Sequence, residues 1–127
     1  MRSKRVSNEY IRDMVEAVSD IAEFTQGITF ETFVQDKMRV LAVRSCLTIL
    51  GEAAKKVHPA IRRRYDNVPW KVLSDLRNKI VHEYFGIDHQ AMWRAIQEDL
   101  PAAKPNLEIA LNEVDAELFD KLRKGEV

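Results

Sequence analysis

Between about Asp36 and Val57 the chain is apolar on more than one side of a helix, and this most narrows the folds open to it. Met38, Leu41, Ala42, Ile49 and Ala53 recur along one stripe, and Val40, Val43, Leu47, Leu50 and Ala54 along a neighbouring one. A helix apolar that far round is central in a bundle, or also stands at an interface. Gly51, in Gly51-Glu-Ala-Ala54, costs about 1 kcal/mol against alanine inside a helix, so it is expected to admit a close approach by another element. Glu52 beside that approach is marked as a candidate site residue. Its blander reading is a cap or a pairing with a nearby lysine.

The other segments read as helices too. Four Gly and four Pro in 127 residues leave little punctuation for an all-β fold, and alternating strand patterns are scarce. Asn8 fits an N-cap for a helix of about 8–25 on Ile11, Met14, Val18 and Ile21, and Thr29 fits a cap for a short turn over 30–34. His58-Pro59 should end the long helix, because the residue before a proline is pushed out of helical geometry. Pro69 restarts the chain at or just before the first turn of a helix carrying Leu73, Leu76 and Ile80 on its core face. Gly86 interrupts, Asp88 can cap again, and Ala91, Trp93 and Ile96 lead to Leu100-Pro101. Beyond Pro105 a last helix is expected on Leu107, Leu111, Val114 and Leu118, with Lys121 to Val127 fraying. The expectation is all-α, four main helices with short connections, in one domain over residues 1–127.

No apolar run approaches the roughly 20 residues that span a bilayer, and the basic start Met1 to Arg5 precedes no apolar signal core, so a cytoplasmic protein is expected. The single cysteine, Cys46, cannot form an internal disulfide and reads as a buried, inert thiol among Leu47, Ile49 and Leu50. The formal charge is zero but uneven: residues 37–79 hold eleven Lys and Arg against three acids. That middle third can attract a polyanion. Lys55, Lys56 and the cluster Arg62, Arg63 and Arg64 are its candidate RNA-phosphate contacts, set against the plainer reading of a solvated turn.

The chemistry concentrates in Ser74 to Asp88. Arg77, Asn78 and His82 lie off the Leu73, Leu76, Ile80 stripe. Asn78 and His82, four apart, would share a helical face, whereas Arg77 and His82, five apart, would sit about 140° apart on a straight helix. Either the helix ends near His82 and a turn brings the two together, or a second copy of the chain completes the pair. His58, His82 and His89 have no metal-ligand spacing and no Gly-rich loop cradles a phosphate, so neither metal nor cofactor is expected. A histidine near neutral pKa and a permanently charged arginine are the minimal pair for cleaving RNA without a metal. The histidine moves a proton of the 2′-hydroxyl or the leaving oxygen, and the arginine stabilises charge on phosphorus. The alternative is a buried structural histidine with a surface arginine.

Arg77-Asn-Lys-Ile-Val-His82-Glu-Tyr84 resembles the Arg-x4-His-x-Tyr signature of the HepT-like toxins of the HEPN superfamily. Ile49-Leu-Gly-Glu-Ala53, Val68-Pro-Trp70, Gly86-Ile-Asp88 and Trp93 agree in order, so the likeness covers nearly the whole chain. The resemblance implies an antiparallel bundle of four to five helices in a symmetric homodimer. It implies a metal-independent endoribonuclease of a type VII-like toxin–antitoxin system, with Arg77 and His82 catalytic at the dimer cleft and Asn78 and Glu52 lining the site. It also implies a cognate minimal nucleotidyltransferase antitoxin, MntA-like, that attaches AMP to Tyr84. A rival of another class is a non-catalytic helical partner that binds such a nucleotidyltransferase and a nucleotide through Arg77 and His82.

Overall fold

The computed structural model describes residues 7–125, so the basic start and the last two residues of the tail lie outside the described residues. The chain runs α1 (Ser7–Phe24), α2 (Phe30–Gln35), α3 (Lys37–Lys56), α4 (Pro59–Arg64) and α5 (Trp70–Ile80). A two-stranded antiparallel hairpin comes next, β1 (Val81–His82) with β2 (Gly86–Ile87), and then α6 (His89–Arg94). A π-helical turn, Ala95–Asp99, joins α6 to α7 (Leu100–Glu113), and α8 (Ala116–Arg123) closes the described chain. The architecture is all-α, with the hairpin its one sheet among the described residues.

The long helix α3 is central, packing on α1 and on α5, while α7 lies on the other side of α1. The backbone N–H of His58, just past α3, donates to Ser7 Oγ at the start of α1 (3.2 Å), so α1 and α3 run antiparallel. The two stripes of α3 part company. Val40, Val43, Leu47, Leu50 and Ala54 are buried, whereas of the other stripe Ala53 is buried but Met38, Leu41 and Ile49 remain 83, 44 and 48% exposed. Gly51 sits where α3 meets α5: a Cβ built there would stand 3.0 Å from the carbonyl oxygen of Ser74. Its lack of a side chain sets how closely the two helices approach.

The caps expected at Thr29 and Asp88 form, their side chains accepting from the N–H groups of Thr32 and Ala91. Asn8 is not a cap. Ser7 is already helical, and Asn8 Oδ1 is buried with no hydrogen-bond partner among the described residues. Nor does Pro105 open the last helix, since α7 runs through it. The π turn bears on Pro101 instead: the Leu100 N–H reaches back to the Ala95 carbonyl, five residues away, widening the coil just ahead of that donor-less residue in the first turn of α7. The break falls instead at Val114, which is extended, and Asp115 caps α8 by accepting from the Leu118 N–H at 2.8 Å. The tail does not fray from Lys121 as expected, for α8 stays helical to Arg123, with Asp120 paired to Arg123 and Lys124.

Trp93 packs its ring on Phe33 and Phe30, at 5.3 and 6.0 Å between centroids, tying α6 to α2. Tyr65 ties the α4–α5 connection to α7. Its hydroxyl donates to Glu113 Oε1 (2.8 Å) and its carbonyl accepts from the Trp70 indole N–H (2.9 Å). Burial, then the Glu113 carboxylate, pushes the phenol up to about 12. Since the unfolded value is about 10, this contribution is whole below pH 10 and is lost as pH rises towards 12. Tyr65→Phe is expected to cost about 1 kcal/mol at neutral pH. The variant should also shed part of the alkaline loss of stability, as read by urea unfolding at pH 8 and pH 11.

Candidate active site

The arrangement begins with α5, whose Leu73, Leu76 and Ile80 are buried as their spacing predicts. That burial turns Ser74, Arg77 and Asn78 outward. Opposite them, one face of α3 presents Thr48, Glu52 and Lys55, and with Gly51 these seven residues line a cleft of about 230 Å³. Arg77 is half-buried there, its Nη1 donating to Asn78 Oδ1 at 3.3 Å. The Thr48 hydroxyl donates to the Arg44 carbonyl and the Ser74 hydroxyl to the Lys71 carbonyl. Each oxygen keeps lone pairs to accept from a ligand hydroxyl. Two cations, Arg77 and Lys55, face one carboxylate, Glu52, so the cleft carries the net positive charge that suits a phosphodiester.

The helix stops at Ile80, two residues before His82. Val81, β-branched and extended, turns the backbone out of helical geometry, while its N–H still bonds the Arg77 carbonyl. His82 then pairs with Gly86, whose φ of +79° is the left-handed conformation that favours glycine. The Asp88 N–H returns to the Ile80 carbonyl at 2.8 Å and closes the root of the hairpin. Asn78 and His82 therefore do not share a helical face, because His82 is no longer on the helix. His82 is exposed and is not among the residues that line the cleft.

At the hairpin tip Tyr84 is 97% and Phe85 91% exposed. Phe85 does not join its neighbours Ile80 and Val81 in the interior: those two are buried and Phe85 points to solvent. Leaving a phenylalanine out forgoes roughly 1.5–3 kcal/mol of burial.

The five candidate RNA-binding cations do not form one patch. Lys55 lines the cleft, and Lys56 Nζ stands 5.9 Å from the centre of the Tyr10 ring. Arg62 and Arg63 border a separate open depression with Pro59, Asp66, Trp70 and Lys71. Arg62 to Arg64 form the last turn of α4 rather than a loop, where cations suit the negative helix end. Cys46 is buried, and burial, with the Asp20 charge second, pushes its thiol up, consistent with an inert thiol. Thr48 and Ser74 join the cleft without any motif that marks them in the sequence. The one signal for them is spacing, Thr48 four before Glu52 and Ser74 four before Asn78, on helices that Gly51 brings together.

Residues 14–110 match the family described as Ribonuclease HepT-like. The chain is 38% identical over 121 residues to the protein named Probable ribonuclease HepT of Thermococcus cleftensis, covering 95% of this chain and 99% of that one. It is 39% identical over 107 residues to Putative RNase MJ1380 of Methanocaldococcus jannaschii, covering 84% and 98% respectively. A further relative, Putative RNase TTE0752 of Caldanaerobacter subterraneus, is 34% identical over 92 residues, which are 72% of this chain and 82% of that one. No solved structure matches. The helical bundle is that of the HEPN class, and this chain belongs to its HepT-like ribonuclease family. Among the described residues no helix is long and apolar enough to cross a membrane.

Proposed function

We propose that this chain, as one HEPN domain over residues 1–127, is the toxin of a type VII-like toxin–antitoxin pair: a cytoplasmic, metal-independent endoribonuclease that works as a homodimer. The observation that carries the reading is the cleft itself, with Arg77 and Asn78 beside Lys55 and Glu52 in a chain of the HepT-like family. The place of His82 outside the cleft lining supports a second copy as its completion. So does the exposed stripe Met38, Leu41 and Ile49 on α3, whose helical face runs on to Glu52.

In that composite site one His82 withdraws the ribose 2′-proton, the 2′-oxygen attacks phosphorus, and the bond to the 5′-oxygen breaks. The other His82 protonates the leaving oxygen, and the Arg77 pair stabilises the added negative charge in the transition state. The products are a 2′,3′-cyclic phosphate and a 5′-hydroxyl. Incubating the purified chain with RNA in EDTA and analysing the ends tests this. Cyclic phosphate ends are expected, and intact RNA at high enzyme would overturn the reading. The partner is a minimal nucleotidyltransferase, MntA-like, that transfers AMP from ATP to the exposed Tyr84 hydroxyl and releases pyrophosphate.

Lys55, Lys56 and Arg62 to Arg64 hold the RNA backbone without reading its sequence. Reversing Arg62 and Arg63 to glutamate is expected to raise KM and lower the salt slope of RNA binding by about two charges, with kcat at saturation nearly kept. An unchanged slope would return these residues to the role of solvated helix end.

A further inference from the structure

We propose that Phe85 is a stacking platform for a base next to the scissile phosphate, which makes single-stranded RNA the substrate; this rests on the ribonuclease reading above. A ring 91% exposed has both faces open, as stacking on a nucleobase requires. The backbone that carries it is held at its root, since the hairpin is closed there by the Val81–Ile87 pair and by the Asp88 N–H on the Ile80 carbonyl. The same root is tied to the cleft, because the Val81 N–H bonds the carbonyl of Arg77. His82 and Phe85 thus stand on one short hairpin, the first suited to a proton of the sugar–phosphate and the second to its base.

The surroundings favour RNA over a protein partner. The exposed Tyr84 beside Phe85 would suit either partner, so the charge of the surroundings decides. The apolar stripe on α3 is a separate feature. Cationic Arg77, Lys79 and Lys55 lie towards the base of the hairpin, the combination of charge and open aromatic rings that unstructured strands bind. Paired bases cannot reach the ring, so duplex RNA should be a poor substrate.

Phe85→Ala is expected to raise KM for a single-stranded oligonucleotide about tenfold while moving kcat less than twofold, in line with the loss of one stacked base. Phe85→Trp should restore KM and Phe85→Leu should not, because leucine keeps the apolar character without the plane. A second readout does not need cleavage. In an Arg77→Ala background, the emission that Phe85→Trp adds over Trp70 and Trp93 should be quenched by single-stranded and not by duplex RNA. If RNA is cut but KM is indifferent to Phe85 and the added emission is unmoved, stacking is wrong and the ribonuclease reading stands. If Phe85→Ala instead dissociates the dimer in sedimentation, or frees the chain from the nucleotidyltransferase with RNA affinity kept, the ring is a protein contact and the proposal is overturned. Absence of both RNA cleavage and RNA binding would remove the two readings together.

Discussion

Replacing His82 with alanine is expected to cut the rate of RNA cleavage by about 10²- to 10⁴-fold, the usual contribution of a positioned proton-transfer group. Stability should barely move, because His82 is exposed on the hairpin, and substitutions at such positions usually stay within about 0.5 kcal/mol. Arg77→Ala should lose a similar factor through the missing charge stabilisation, about 10²- to 10³-fold. Its unfolding midpoint should shift somewhat more, since Arg77 is half-buried beside Asn78. Arg77→Lys should not rescue, because a point charge cannot present two parallel donors to a phosphate. Single-turnover cleavage together with urea unfolding reads all three variants. Cleavage within tenfold of the parent by a folded variant would take that residue out of the chemistry.

The second large effect is expected at Tyr84. AMP attached to its hydroxyl would place a phosphodiester charge and an adenine at the hairpin tip, two residues from His82, giving the arginines a phosphate that is not substrate. The modified chain should retain its fold and lose cleavage by at least tenfold. Tyr84→Phe should remain a nuclease and escape inhibition by the nucleotidyltransferase with ATP. If mass spectrometry of the co-expressed pair finds Tyr84 unmodified while toxicity is suppressed, inhibition proceeds by binding alone.

The helices that pack are legible in the sequence wherever one face alone is apolar. Leu73, Leu76 and Ile80 mark the buried face of α5, and Thr29 and Asp88 mark helix starts, because spacing and capping are local physics. The end of α5 is not legible. The strong stop signal is Gly86, but the helix yields five residues earlier at Val81, where closure of a hairpin outweighs continuation and no single residue announces it. Pro105 misleads in the opposite direction, because α7 continues through a residue that usually ends or kinks a helix. At the site, Arg77, Asn78 and Glu52 stand out through their motif and the glycine beside them. Thr48 and Ser74 look like ordinary exposed helix residues until the faces that meet across Gly51 are known.

The hairpin also decides how this protein can change over evolutionary time. Its tip, Glu83 to Phe85, is exposed and lies beyond a root that the Val81–Ile87 pair closes, so substitutions there leave the packed interior untouched. What the tip contacts is therefore free to drift under selection at little cost in folding, while Gly51, with a backbone oxygen 3.0 Å from where a side chain would start, has almost no such freedom. Lineages descended from one such bundle can diverge in what they recognise while the bundle itself stays the same.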